Sequence, residues 1–299
     1  MSEVDIHIIG CGYIGKKVAS ILVKKKLKPM CMVHTQQSKD MCEKSGLQVK
    51  QFDLDKNDAG LLKNEIENFS NSCIAYFSPP PPTGKTDTRM AHFIAILEAM
   101  PVAPKKVVLI STTGVYGDCN GEWIDETRSL NPQADRAYRR VSAERQLNEY
   151  CEKNKVSCIV FRVPGIYAAD KLPVKRITSG EPIVREQDSG YTNRIHAEDL
   201  ASFCVEALTS DVPAGIYNCC DGHPSTMNDY FMKVADALGY ERPREISLLQ
   251  AQKELSKGML SYLAESKRIY NKKLTRYFKT PFKYSNLEAG LKNIGGNHE

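Results

Sequence analysis

The sequence predicts an α/β fold built on a doubly wound parallel sheet, with a smaller C-terminal region interleaved with it. Three observations carry that expectation. A glycine-rich turn, GCGYIG, directly follows the first apolar run. Short continuous apolar runs recur at 73 to 77 (CIAYF), 107 to 111 (VVLIS) and 158 to 163 (CIVFRV), as suits strands buried on both faces. Helical patterns at 89 to 100 and 134 to 153 lie between them, and strand-helix alternation is the pattern of a parallel sheet.

Taken in order, VDIHII at 4 to 9 is a strand, and a helix runs from the glycine turn to about Lys26. PMCMVH at 29 to 34 and LQVKQFDL at 47 to 54 are further strands, followed by the three runs above. After Val163 the rhythm changes, and residues 166 to 193 are loop-rich and polar. A helix at 197 to 209 and a strand at 215 to 219 return to the sheet, and helices near 226 to 238 and 248 to 272 close the chain. The expected division is a nucleotide-binding core over 1–165, with 194–221 returning to it. Residues 166–193 and 222–299 form the substrate-binding region.

The totals exclude several classes. With 41% hydrophobic and 26% charged residues the chain is an ordinary globular protein. Its +5 net charge, from 41 basic against 36 acidic residues, is too mild for a nucleic-acid binder. The basic run LVKKKLK at 22 to 28 reads as the solvated end of a surface helix. No run approaches the ~18 apolar residues of a membrane span, and the acidic start is not that of a signal peptide. Ten scattered cysteines without a CxxC pair suggest free thiols in a reducing cytoplasm. Cys219 and Cys220, adjacent in a strand, point to opposite faces. Together with His223 they have the wrong spacing for zinc, so no metal is expected.

Gly10, Gly12 and Gly15 form G-x-G-x-x-G between a strand and a helix that opens with Tyr13 and Ile14. That context is what a dinucleotide site requires: a tight turn, close approach of a pyrophosphate to the backbone, and a helix N-terminus favouring negative charge. Cofactor choice is read after the second strand. His34, Thr35 and Lys39 stand there, with no acid until Asp40. An acid would repel a 2′-phosphate, so NADP is expected, with NAD as the alternative. Asp53 and Leu54, ending the third strand, either cover the adenine edge or cap the strand.

GCGYIG, FDL at 52 to 54, FSPPPP at 77 to 82, STTGVYGD at 111 to 118, NRIHAEDLA at 193 to 201 and GIYNCCDGHPST at 215 to 226 occur in one order. Together they resemble the extended short-chain dehydrogenase/reductase superfamily, and most nearly its atypical, NAD-dependent epimerase/dehydratase-like members. The resemblance covers nearly the whole chain, from about residue 4 to SKRIYNKKL at 266 to 274 and beyond. It implies a Rossmann core binding NAD(P), with a C-terminal region shaping the pocket of a small-molecule substrate. It also implies a hydroxyl at Thr112 for the substrate oxygen, and a homodimer through the helices at 89 to 100 and 134 to 153. Ser78, Pro79 and Pro80 are expected to line the cofactor, with Pro164 and Gly165 near the nicotinamide. Asn193 and Arg194 are expected to contact substrate.

The stretch RAYRRVSAE at 136 to 144 departs from the family. The family carries Tyr-x-x-x-Lys there, its Lys four residues before a recurrent Glu. Counting back from Glu144 puts Arg140 at the Lys position and Arg136 at the Tyr position. Arginine stays protonated and cannot act as general acid/base. Arg140 can still hold the nicotinamide ribose and supply a positive field, and Arg136 is a substrate contact. Two candidate substitutes for the tyrosine are Tyr116, which otherwise packs under the loop, and Tyr138, which is out of register by about 200° from position 136 and reaches the site only if the helix starts late or irregularly. The bland alternative is a structural cluster, with Arg136, Arg139 and Arg140 pairing to Asp135, Glu144 or Asp118. Glu122, Asp125 and Glu126 are further partners for Arg136, and His196 reads as mainly structural. Where the family has a Gly-Pro-Gly-type turn this chain has Ala168-Ala169-Asp170. Two functions are consistent with these residues. One is an NADP(H)-dependent oxidoreductase, epimerase or dehydratase acting on a small polar carbonyl or alcohol, with sugar-like compounds among the candidates. The other is a non-catalytic NADP(H)-sensing binding protein.

Overall fold

Seven strands pair, all in parallel, in a computed structural model of the chain that describes residues 5–55, 69–292 and 294. They are β1 (Ile6–Ile9), β2 (Met30–Val33), β3 (Gln48–Gln51), β4 (Cys73–Tyr76), β5 (Lys106–Thr112), β6 (Ser157–Val163) and β7 (Gly215–Asn218). Val4, with which the predicted first strand begins, lies outside the described residues. The spatial order is β7-β6-β5-β4-β1-β2-β3. Chain order therefore runs outward in both directions from β1, and a crevice opens beyond the C-terminal ends of β1 and β4, where the order reverses.

Every residue of β1 and β4 is buried, because helices cover both faces of the sheet. On one face α1 (Tyr13–Lys24) packs against α5 (Ala197–Thr209), burying Val18, Leu22, Leu200 and Phe203 with Ile8 and Phe161. On the other, α3 (Thr88–Glu98) packs against α4 (Asp135–Asn154), burying Phe93, Leu97, Leu147 and Tyr150 with Ile74 and Leu109. Each fully buried side chain of this size contributes about 1.5–3 kcal/mol. Side-chain caps fix where helices start. Thr35 caps α2 (Gln36–Lys44), Asp87 caps α3, and Thr226 caps α6 (Met227–Leu238).

Beyond β6 the chain builds a smaller core from Tyr167, Ile177, Ile183, Phe231, Val234 and Leu287. Short strand pairs tie it to the sheet. Residues 165–167 pair with 194–196, 191–192 with 225–226, and 123–124 with 268–269. The single helix predicted over 248 to 272 is not formed. Ser247 and Ser256 each cap a separate helix, Leu248–Glu254 and Lys257–Leu263, with an extended Leu255 between them. Residues 268–269 are drawn out as a strand by Trp123–Ile124, and the chain turns helical again only at Lys272–Tyr277. Among the described residues no helix is long and apolar enough to cross a membrane.

Candidate active site

Two abutting cavities form one cleft over the C-terminal ends of the central strands. The first, of about 460 Å³, is lined by the glycine turn, the ends of β2 and β3, and Phe77 to Pro79. The second, of about 450 Å³, begins at the next residues along the same strands, Pro80, Thr112 and Gly165.

The first cavity is made largely of backbone. Gly10 has φ +84°, and a Cβ there would lie 2.5 Å from the Ser78 nitrogen, so only glycine closes the turn. A Cβ on Gly12 would meet no protein atom nearer than 4.0 Å, which leaves that space to a ligand. No side chain caps α1 at Gly12, so the N–H groups of its first turn and the positive end of its dipole face the cavity beside Tyr13, Ile14 and Gly15. The Tyr13 hydroxyl donates to Asp170 at 2.5 Å, tying the helix start to the segment after residue 167.

At the far end His34 and Ser38 line the cavity, and so do Asp53 and Leu54. His34 Nε2 is 3.3 Å from Asp53 Oδ1. Thr35 and Lys39 do not line it. The Thr35 hydroxyl caps α2 by accepting from the Ser38 N–H, and Lys39 lies 3.9 Å from Glu43 on its own helix. Sequence reasoning missed Asp55 and Arg89. Arg89 grips Asp55 at 2.6 and 2.5 Å and donates to the Pro79 carbonyl at 2.9 Å. His34, Asp53 and Asp55 bring ligand-type atoms within 4.8 Å of one another, with Asp55 already held by Arg89.

The second cavity gathers Thr112, Arg136, Arg140, Pro164, Gly165, Asn193 and Arg194, all named from the sequence. Thr112 ends β5 and accepts from the Gly114 N–H at 3.2 Å. Arg136 and Arg140 are one helical turn apart on α4 and so share a face. Arg136 donates to Ser261 Oγ at 3.1 Å and sits 4.3 Å over the Tyr262 ring. Arg140 makes one long bond, 3.4 Å to the Ser78 carbonyl, and burial lowers its pKa. Asn193 is a structural tie: its amide donates to the Lys267 carbonyl and its Oδ1 accepts from the Ile269 N–H. Arg194 is buried 3.7 Å over the Tyr230 ring and donates to Thr192 Oγ1 at 3.0 Å.

Several expectations are corrected. Tyr116 is not at the cavity. It is buried, its hydroxyl donates to Asn218 at 2.7 Å and accepts from Arg162 at 3.0 Å, and burial pushes its pKa up to about 12 against the pull of Arg162. Tyr138 points outward, with Lys85 4.7 Å above its ring. The arginine cluster does not pair with Asp135, Glu144 or Asp118. Glu144 is taken by buried Arg162 at 2.7 Å and by the Ser111 hydroxyl, Asp118 accepts from the Ser266 N–H, and Arg139 donates to the Gly84 carbonyl. Glu122, Asp125 and Glu126 are engaged by Arg128, Thr127 and the Asn218 N–H instead of Arg136. His196 caps α5 by accepting from the Glu198 N–H, packs between Tyr167 and Tyr284, and is driven by burial down to about 4. Sequence reasoning also missed Tyr191, Tyr262, Glu265 and Lys267. The pairing of 268–269 with 123–124 delivers the last two, and Lys267 donates to the Gly117 carbonyl at 2.6 Å and pairs with Glu265 at 2.5 Å.

Residues 6–220 match the NAD dependent epimerase/dehydratase family. A dTDP-D-glucose 4,6-dehydratase of Mus musculus is 24% identical over 133 residues, 42% of this chain and 38% of that protein. The match thus spans well under half the length of that curated relative. The fold is similar to that of a functionally unknown conserved protein from Silicibacter pomeroyi, with TM-score 0.80, 23% identity and 98% of each chain covered. It is also similar to a human epimerase family protein solved with NADPH, with TM-score 0.73, 14% identity, and 98% of this chain and 99% of that one covered.

Proposed function

The chain belongs to the NAD dependent epimerase/dehydratase family, and from that membership we propose an NADP(H)-dependent oxidoreductase or epimerase/dehydratase-like enzyme for a small polar carbonyl or alcohol. One observation carries the reading: a glycine turn at an uncapped helix N-terminus lines a cavity whose wall residues Pro79 and Ile166 adjoin Pro80 and Gly165 of a second cavity, which holds Thr112 and Arg140. The residues present fit a dinucleotide. Gly10, Gly12 and the first turn of α1 would hold the pyrophosphate, Asp53 and Leu54 the adenosine end, and Ser78, Pro79, Pro164 and Gly165 the nicotinamide end. The absence of an acid directly after β2, with His34 and Ser38 lining the cavity there, supports NADP over NAD.

When bound, the nicotinamide supplies or accepts the hydride. The Thr112 hydroxyl orients the substrate oxygen by a hydrogen bond. Arg140 provides a fixed positive field for charge developing on that oxygen. The proton is drawn from solvent or from a phenol lining the second cavity, where Tyr191 and Tyr262 stand, when a carbonyl is reduced, and is returned there when an alcohol is oxidised. The non-catalytic sensor remains a second reading, favoured because neither Tyr116 nor Tyr138 lines the second cavity.

The test is to titrate the purified chain with NADPH and NADH, then follow nicotinamide absorbance against aldehydes, ketones and sugar nucleotides. The enzyme reading expects tight NADPH binding and oxidation by at least one class. Tight binding with no oxidation and no conversion of any panel compound in NMR spectra selects the sensor, and no binding at millimolar nucleotide rejects both.

A further inference from the structure

The second cavity carries a charge imbalance. Arg136, Arg140, Arg194 and Lys267 line it against one carboxylate, Glu265, and that carboxylate is already held by Lys267. Several other arginines of this molecule are paired, Arg89 with Asp55, Arg162 with Glu144 and Arg242 with Asp236, while Arg139, outside the cavity, has only the Gly84 carbonyl. Arg136, Arg140 and Arg194 form no ion pair among the described residues, and their partners are two hydroxyls, two carbonyls, a thioether and two ring faces. Asp87 and Glu144 act on Arg140, and Asp221 and Asp229 on Arg194, only through space.

Arg194 is the sharpest case. It is 6% exposed, and its Nε is buried without a hydrogen-bond partner. A buried guanidinium lacking a counter-charge is costly. The chain nevertheless makes room for it: a Cβ on Gly165 would stand 3.2 Å from Arg194 Nη1. Tyr262 and Tyr230 fix the planes of Arg136 and Arg194 without neutralising them. The three guanidiniums come from two elements, α4 and the strand Arg194–His196, and converge on one space beyond the glycine turn. The cofactor's pyrophosphate belongs to the first cavity and leaves them unmatched.

We infer that the second cavity is an anion receptor, so that the substrate carries a carboxylate or phosphate next to its reacting carbonyl or alcohol, gripped by Arg136 and Arg194. This rests on the proposed function for the position of the reacting group. Guanidinium forks suit both anions because each offers two oxygens in one plane to paired N–H donors.

The experiment follows the fluorescence of chain-bound NADPH while two matched pairs are added. Dihydroxyacetone phosphate is set against dihydroxyacetone, and 2-oxoglutarate against its dimethyl ester. The expected result is that at least one anion binds about 10- to 100-fold more tightly than its uncharged partner, the span of one charge-assisted hydrogen bond. The pair that discriminates tells phosphate from carboxylate. Arg136→Gln should remove most of that preference and Arg136→Lys restore part of it, with NADPH affinity changed by less than about threefold, because the nucleotide contacts lie elsewhere. Pairs that bind within about threefold of each other in both arms overturn the inference, and this comparison needs no variant. If NADPH itself does not bind, the proposed function fails first. Calorimetric titration of the chain with inorganic phosphate then decides alone: saturable binding weakened by Arg136→Gln sustains the receptor, and no binding ends it.

Discussion

In the first cavity Asp55 is met by Arg89 and Asp53 by His34, and recognition rests on backbone N–H groups and on side chains that glycine omits. In the second, three arginines face the space, and the one carboxylate there, Glu265, is held by Lys267. The difference teaches how such a fold changes chemistry. A backbone-made site is tied to the turn that closes the sheet, so altering it disturbs the fold. A side-chain-made site is assembled from α4, the strand Arg194–His196 and the C-terminal segment, and each residue can be exchanged while the sheet stands.

The largest expected effect tests the first half of the contrast. Gly10→Val puts a branched side chain at φ +84° against the Ser78 backbone, and should cost more than about 3 kcal/mol and abolish NADPH binding. Thermal melting and an NADPH titration check it; a stable variant with ordinary affinity would break the claim that backbone makes this site. Next comes Glu144→Gln, which leaves buried Arg162 without its counter-charge. Stability should fall by about 3–5 kcal/mol in urea unfolding, with nucleotide affinity of the folded protein kept. A small loss would mean that Arg162 is satisfied by Tyr116 alone, and that the network is looser than its geometry. The smallest effect sharpens the adenosine end. Thr35→Asp keeps the cap on α2, since Asp caps as well as Thr, and adds a negative charge there. It should weaken NADPH by about tenfold and NADH much less. Equal weakening of the two nucleotides would remove the 2′-phosphate from this helix.

The sheet was legible because strands buried on both faces leave unbroken apolar runs, and the glycine turn because its spacing is a backbone requirement. The second cavity was legible only in part. Thr112, Arg136, Arg140, Asn193 and Arg194 stand in motifs of fixed order, whereas Glu265 and Lys267 arrive through a two-residue strand pairing that leaves no periodic signal. The same pairing is why a continuous helix over 248 to 272 was the wrong expectation. Tyr116 was misplaced because sequence does not tell which way a side chain leaves a short 3-10 turn. Arg162 was the overlooked clue: a charge inside the apolar run CIVFRV needs buried partners, and Glu144, Tyr116 and Ser111 are drawn to that network. Thr35 and Lys39 fell outside the cavity because α2 begins at once after β2 and turns them to its cap and flank.

The ten cysteines have a consequence of a different kind. All are free and buried. Six sit in the core beside α1 and α5, two in the core beside α3 and α4, and two under the Tyr116 turn. A thiol reagent in solution therefore meets sulfur only when one of these layers opens. The rate at which each cysteine is modified becomes a stopwatch for its own side of the sheet, and the chain carries a built-in record of which face loosens first.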